Sequence, residues 1–158
     1  MREYRLISET RSVLSDIMLP HQANPSGNVH GGEIMKMMDT CGGVVAQRHA
    51  RMNVVTVKVD ELIFYKPICV GDYVTCIGEM VYVGNTSMTV RVTVKNENIA
   101  DKNSEPQIAL TAYFTFVALD ETGRPSKVLP VIPETDDEKA AYDEFEKKYL
   151  TCKRERQK

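Results

Sequence analysis

Asn24-Pro25-Ser26-Gly27-Asn28-Val29-His30-Gly31-Gly32 leads directly into Glu33 through about Arg51, a run without proline. The first part gathers turn-forming residues, and the second reads as a helix that opens just after the paired glycines. It is the only long helix expected before the tail. Ile34, Met37, Met38, Cys41, Val44 and Val45 spread over a broad arc at about 100° per residue, wider than the single apolar stripe of a surface helix. The helix should therefore be covered on most sides, and strands on either side of it in the chain are expected to do the covering.

Upstream, Val13-Leu14-Ser15-Asp16-Ile17-Met18-Leu19 reads as a strand in which Val13, Ile17 and Leu19 share a face before Pro20 stops pairing. Downstream come four more: Val54–Val59, Tyr73–Val83, Ser87–Lys95 and Gln107–Leu119. Gly71-Asp72 introduces the second of these, Gly84-Asn85 joins it tightly to the third, and Asn96–Pro106 forms a longer polar loop before the last. Consecutive antiparallel pairing is the expected arrangement. The sum is an α+β fold, a curved antiparallel sheet of about five strands wrapped around one long helix. From Pro133, Glu134-Thr135-Asp136-Asp137-Glu138-Lys139 starts a capped second helix, with Tyr142, Phe145 and Tyr149 as a docking edge and Lys153–Lys158 frayed.

At 158 residues, 42% hydrophobic and 27% charged, the chain has the size and core of a single domain over 1–158, its body at about 8–130 and its helical tail at about 134–150. Lys and Arg number 20 against 22 for Asp and Glu, a balance that argues against coating nucleic acid. No stretch approaches the roughly 18 apolar residues of a membrane span, and MREYRLISETR lacks the apolar core of a secretory signal. A cytoplasmic location without membrane insertion is expected. Cys41, Cys69, Cys76 and Cys152 form no CxxC pair, and no His lies at zinc-ligand spacing from them. Four reduced thiols and no structural metal follow, the cysteines serving as small buried residues with one in the tail.

Two features carry chemistry. Asp39 falls on a line with Gly32, Met35, Gly43 and Ala46, with Gly42 beside them. An acid buried among such small residues means either that another backbone packs closely there or that a ligand channel passes the carboxylate. A purely structural Asp39 would need a partner such as Arg48 or a backbone donor. The second feature is the helix start, where paired glycines and unsatisfied N–H groups suit a developing oxyanion. The alternative is an ordinary glycine-rich turn in which Asn24 makes an Asx turn.

Asn24-x-x-Gly27-x-x-His30-Gly31-Gly32, with Asp39 seven residues on, resembles the active-site segment of hotdog-fold acyl-CoA thioesterases. Val55-Thr56-Val57, Asp60 with Phe64, Lys66-Pro67 with Gly71-Asp72, and Gly84-Asn85-Thr86-Ser87-Met88 are similar to the cytosolic acyl-CoA hydrolase branch. The resemblance covers roughly residues 8 to 130. It implies hydrolysis of fatty acyl-CoA to free acid and coenzyme A, with a homodimer as the minimal unit, a hexamer built as a trimer of dimers, and active sites at the dimer interface. It implies that Asp39 is the catalytic carboxylate, as base or nucleophile, that Asn24 of the facing subunit orients the carbonyl or water, and that N–H groups near Gly31 and Gly32 hold the oxyanion. Gly84, Asn85, Thr86 and Ser87 match the stretch that contacts the nucleotide end of coenzyme A. Relatives often carry Arg where this chain has Asn85, so Lys58, Lys66, Arg91 and Arg124 are candidates for the missing charge. No metal or redox cofactor is implied, coenzyme A entering only as part of the substrate.

His30 is read as a packing or hydrogen-bonding residue more than as a proton donor, and His21 and His49 carry no supporting pattern. Cys41 lies about 200° around the helix from Asp39, which argues against a cysteine nucleophile. Two rivals are a hotdog dehydratase or hydratase, which usually needs a His beside its carboxylate, and an acyl-CoA-sensing module without hydrolysis. Such modules are often joined to a DNA-binding segment, and only about ten residues precede the first strand, too few for a helix-turn-helix.

Overall fold

In a computed structural model that describes residues 2–157, the long helix α1 spans Gly31–Ala50. It begins two residues earlier than the sequence predicts because His30 caps it, its Nδ1 accepting the Gly32 N–H at 3.0 Å. It ends where Arg51 turns left-handed, at φ 58°, and its N–H returns to the Gln47 carbonyl. No described helix is long and apolar enough to cross a membrane.

The strands are β1 (Arg5–Leu6), β2 (Ser12–Ile17), β3 (Asn53–Phe64), β4 (Tyr73–Val83), β5 (Ser87–Glu97), β6 (Gln107–Leu119) and β7 (Val131–Ile132). Five of them form an antiparallel sheet in the order β2-β4-β5-β6-β3. Consecutive pairing thus holds for β4, β5 and β6 and fails for β3, which crosses to the far edge beside β6. The reason lies in the connection: the Val29 N–H donates to the Ile68 carbonyl at 2.8 Å and Asn28 bridges Cys69, so residues 65–72 are tied to the start of α1 instead of folding a hairpin. β3 also runs past Val59 to Phe64, with register shifts between Thr56 and Lys58 and between Asp60 and Ile63. β1 and β7 pair in parallel as a separate ribbon; at two residues each they are too short to show a period.

The sheet covers α1 on one side. Ile34, Met38, Cys41, Val45, Ala46 and His49 are buried against it, while Met35, Lys36, Asp39, Thr40 and Val44 are exposed on the opposite side. The expectation of a helix covered on most sides is therefore corrected within one chain, because a single five-stranded sheet has only one inner face to offer. Val13, Ile17 and Leu19 do lie on one side of their strand, and it is the solvent side, at 60%, 43% and 47% exposed. Gly78 on β4 allows the closest approach of sheet to helix: a Cβ there would sit 2.9 Å from Val45 Cγ2 and 3.3 Å from the Cys41 carbonyl.

Cys41 and Cys76 are buried and Cys69 and Cys152 exposed, so Cys69 departs from its expected place in the core. It sits in the 65–72 connection, at the surface. Burial pushes the Cys41 thiol up and the Cys76 thiol up to about 12, which keeps both un-ionised.

α2 (Asp136–Glu155) opens with Thr135 and Glu138 in a capping box. Tyr142 and Tyr149 pack on Tyr82 at 5.1 and 5.4 Å, and Phe145 on Tyr113 at 4.6 Å, the docking edge read from the sequence. The tail is not frayed where expected: the helix runs on through Glu155, with Lys153 and Arg154 placed favourably at its negative end, and Lys158 lies outside the described residues.

His49, near the end of α1, is buried; its Nε2 lies 2.6 Å from the Leu129 carbonyl and donates to it, and its Nδ1 has no partner among the described residues. Arg5 Nε fastens the β1 ribbon to the His49 carbonyl at 2.7 Å. Burial holds the imidazole below its usual pKa, so the folded chain keeps it neutral while an unfolded chain takes up a proton near pH 6.5. That contribution to stability is complete above about pH 6.5 and declines as the pH falls below it. The melting temperature is expected to drop between pH 7 and pH 5.5, and the drop to be smaller in His49→Gln; equal slopes would contradict this. Gly78→Ala is expected to cost about 1–3 kcal/mol by overpacking, read as a lower urea midpoint, and an unchanged midpoint would show that the sheet and helix can move apart freely.

Candidate active site

Asp39 stands midway along the uncovered side of α1, so its predicted burial is corrected: within one chain the carboxylate is exposed. Its partner is neither Arg48 nor a backbone group. Arg48 Nη1 donates to the Arg11 carbonyl at 2.6 Å, whereas Thr56 Oγ1 on β3 donates to Asp39 Oδ1 at 2.5 Å. One carboxylate oxygen is thereby held and the other left to act. Thr56 was not among the residues singled out for chemistry, since a threonine in an alternating strand is indistinguishable there from any other β-branched residue. The pairing arises because β3, crossing to the far edge of the sheet, lies alongside α1.

Asn24 closes the preceding loop. Its Oδ1 accepts from the N–H groups of Ser26 at 3.0 Å and Asn28 at 3.2 Å, and its own N–H donates to the Asn28 carbonyl at 2.7 Å. Gly27, at φ 85°, permits the reversal. The Asx turn that the residues allowed is therefore present, and it leaves the side-chain amide N–H groups of Asn24 outside the loop's own hydrogen bonds. Asn24, Gly31, Ile34, Phe64, Lys66 and Ile68 line a cavity of about 430 Å³. Lys66 Nζ hydrogen-bonds Gln107 Oε1 at its edge.

The two glycines separate in role. The Gly32 N–H is taken up by His30, which confirms a hydrogen-bonding part for that histidine and removes Gly32 as an oxyanion donor in this arrangement. The Gly31 N–H has no acceptor among the described residues, and Gly31 lines the cavity. Asp39 does not line this cavity. Eight residues of α-helix separate it from Gly31, about 12 Å along the axis, so the two cannot meet on one carbonyl within a single chain.

The Gly84-Asn85-Thr86-Ser87 hairpin lies at the opposite end of the sheet. Ser87 pairs with Val117 late in β6, while Lys66 meets Gln107 at its beginning, a separation of roughly 30 Å at about 3.3 Å per strand residue. The hairpin carbonyls of Asn85 and Thr86 accept from Val128 and Ala118, and Tyr149 of α2 covers Gly84 so closely that a Cβ there would meet its ring at 2.9 Å. The sequence-derived residues thus form three groups in one chain: Asp39 with Thr56, Asn24 with Gly31 and Lys66, and the hairpin.

A long helix laid on one curved antiparallel sheet, with a glycine-rich start and a carboxylate midway, defines the hotdog class. A family model described as the thioesterase superfamily matches residues 26–102. The cytosolic acyl coenzyme A thioester hydrolase of Mus musculus is 37% identical over 98% of this chain, which spans 41% of that relative. The chain thus spans about two-fifths of the length of its mammalian relatives. An uncharacterized acyl-CoA thioester hydrolase of Buchnera aphidicola (strain Sg) is 38% identical, the match covering 75% of this chain and 89% of the relative. An acyl-CoA hydrolase of Staphylococcus aureus, solved with butyryl coenzyme A, coenzyme A and coenzyme A disulfide, is 32% identical with a TM-score of 0.85, covering 97% of this chain and 92% of its own. That enzyme has also been solved as Asp→Ala, Asn→Ala and Thr→Ala mutants, and another similar structure is an apo-hexameric acyl-CoA thioesterase. The chain belongs to the thioesterase superfamily.

Proposed function

We propose that the protein hydrolyses acyl-CoA thioesters at a site completed by two copies of the chain. The observation that carries this reading is the 2.5 Å hydrogen bond from Thr56 to an exposed Asp39, on the same helix as the Gly31 N–H and about 12 Å along it, too far for both to meet one thioester carbonyl. A second copy, laid against the uncovered side of α1, supplies what each copy lacks.

In this reading Asp39 of one copy faces the carbonyl of an acyl-CoA seated in the Asn24–Gly31 cavity of the other. The oxygen not held by Thr56 deprotonates a water that attacks the carbonyl carbon, or attacks it directly to give an anhydride that water then opens; both routes consume one water and release free acid and coenzyme A thiol. The Gly31 N–H, at the positive end of α1, stabilises the oxyanion, and the Asn24 amide orients the carbonyl or the water. A thiol with a pKa near 8.5 departs readily, so no strong leaving-group acid is needed, and neither a metal nor a redox cofactor enters the scheme. The three residues mutated in the Staphylococcus aureus enzyme, an Asn, an Asp and a Thr, are spaced along its chain as Asn24, Asp39 and Thr56 are here. Lys66 and the Gly84–Ser87 hairpin are the groups assigned to coenzyme A. Their distance within one chain means that they serve different bound molecules or come from different copies. Hexameric relatives support a hexamer, arranged in this reading as a trimer of dimers, and the naming of the mammalian relatives supports a cytosolic setting.

Thiol release from acetyl- through palmitoyl-CoA tests the reading. Turnover is expected with at least one of these esters and should fall about 10²–10⁴-fold in Asp39→Ala with the circular dichroism and melting curve unchanged. Tight acyl-CoA binding without thiol release would favour a sensing module, and undiminished turnover in Asp39→Ala would remove the carboxylate from the mechanism.

A further inference from the structure

We infer that Phe64 is the residue that discriminates among acyl groups, by excluding substrates branched at the carbon next to the thioester carbonyl; this rests on the hydrolytic reading above. The ring stands beside Gly31, the proposed oxyanion donor, and both residues line the cavity. Built on Gly31, a Cβ would meet Phe64 Cζ at 3.3 Å, with Cε1 and Cε2 at 3.9 and 4.0 Å, so the nearest neighbours of that position are all one ring edge. Carbon atoms pack best at about 3.5–4.0 Å. The ring therefore occupies the space on the side-chain side of Gly31, within the cavity that both residues line, and acyl carbons of a thioester seated there would pass beside it.

Phe64 is 48% exposed yet fixed in place. It pairs with Leu110 of β6, and the next residue, Tyr65, donates its N–H to the Ala109 carbonyl at 2.8 Å. Its direction is set by the bulge just before it. Between Asp60 and Ile63, β3 contains one more residue than β6, and Glu61 takes the left-handed conformation at φ 57°. One extra residue in a strand turns every later side chain to the opposite face, so without the bulge the phenylalanine would point away from α1. A left-handed glutamate inside a strand is strained backbone of the kind retained where a side chain must be aimed. Lys148 of α2 meets Glu61 Oε1 at 3.3 Å and adds a tether at that point.

A straight acyl chain presents only a methylene beside the carbonyl and slides along the ring edge. A branch places a methyl against it. Discrimination by one such group spans about 10–200-fold in kcat/KM.

The test compares thiol release from butyryl-CoA and isobutyryl-CoA by the wild-type protein, Phe64→Leu and Phe64→Ala. The wild type should favour butyryl-CoA at least about tenfold in kcat/KM; Phe64→Ala should bring the ratio down by about tenfold, chiefly through faster use of the branched ester. Phe64→Leu, which keeps an apolar filling, should fall between the two and serves if the alanine variant does not fold. A ratio unchanged in the variants, or no preference in the wild type, overturns the assignment of Phe64 alone. Absence of thiol release from every ester by the wild type overturns the hydrolytic reading, and this inference with it.

Discussion

A single sheet can bury one side of a helix, and in this chain the other side of α1 carries the exposed Asp39 with its hydrogen bond from Thr56. Everything proposed for the site depends on that asymmetry. Ile34, Met38, Cys41 and Val45 lock the helix onto the sheet, with the missing side chain of Gly78 letting the two layers approach. The opposite side presents Met35, Val44 and Asp39 to solvent, and on β3 Val55, Val57 and Ile63 are exposed at 39%, 55% and 51%. An exposed carboxylate with a fixed hydrogen bond, on a side that also bears uncovered apolar groups, is poorly explained in a solitary chain. The second copy proposed above would cover the apolar groups and set its own Gly31 opposite the acid.

The same asymmetry divides the labour of the residues. Positions that hold α1 in place are inert: the buried thiols stay protonated, and His49 spends its one ring N–H on the Leu129 carbonyl. The carboxylate and the helix start are each fixed by a single hydrogen bond, Thr56 Oγ1 donating to Asp39 and the Gly32 N–H donating to His30. The His30 cap does more than start the helix. By taking up the Gly32 N–H it leaves the Gly31 N–H without an acceptor among the described residues, at the positive end of the helix.

Much of the architecture could be read in advance. Tyr73–Val83 and Gln107–Leu119 match β4 and β6 residue for residue, because long runs of β-branched and aromatic residues end at unambiguous turns. The aromatic spacing of Tyr142, Phe145 and Tyr149 foretold the docking of α2. What escaped is what periodicity cannot encode. The crossing of β3 depends on hydrogen bonds between residues 65–72 and the loop before α1, and the bulge at Glu61 breaks the alternation that would have revealed the end of β3. Asp39 stood out as an acid among glycines, but its exposure did not, since a wide apolar arc looks the same whether one sheet covers it or two chains do. Thr56 became visible only once β3 had been placed beside the helix.

The proposed site is completed by two copies of the chain, and subunit mixing tests that directly. Asp39→Ala and Asn24→Ala chains, each expected to be strongly impaired alone, are unfolded together and refolded as a mixture, with mass spectrometry of the native assemblies confirming mixed dimers. Mixed dimers should regain one intact site in two, and so a substantial fraction of wild-type thiol release. Mixed dimers that form and remain inactive would show that Asp39 and Asn24 act within the same chain, or not on the same substrate at all.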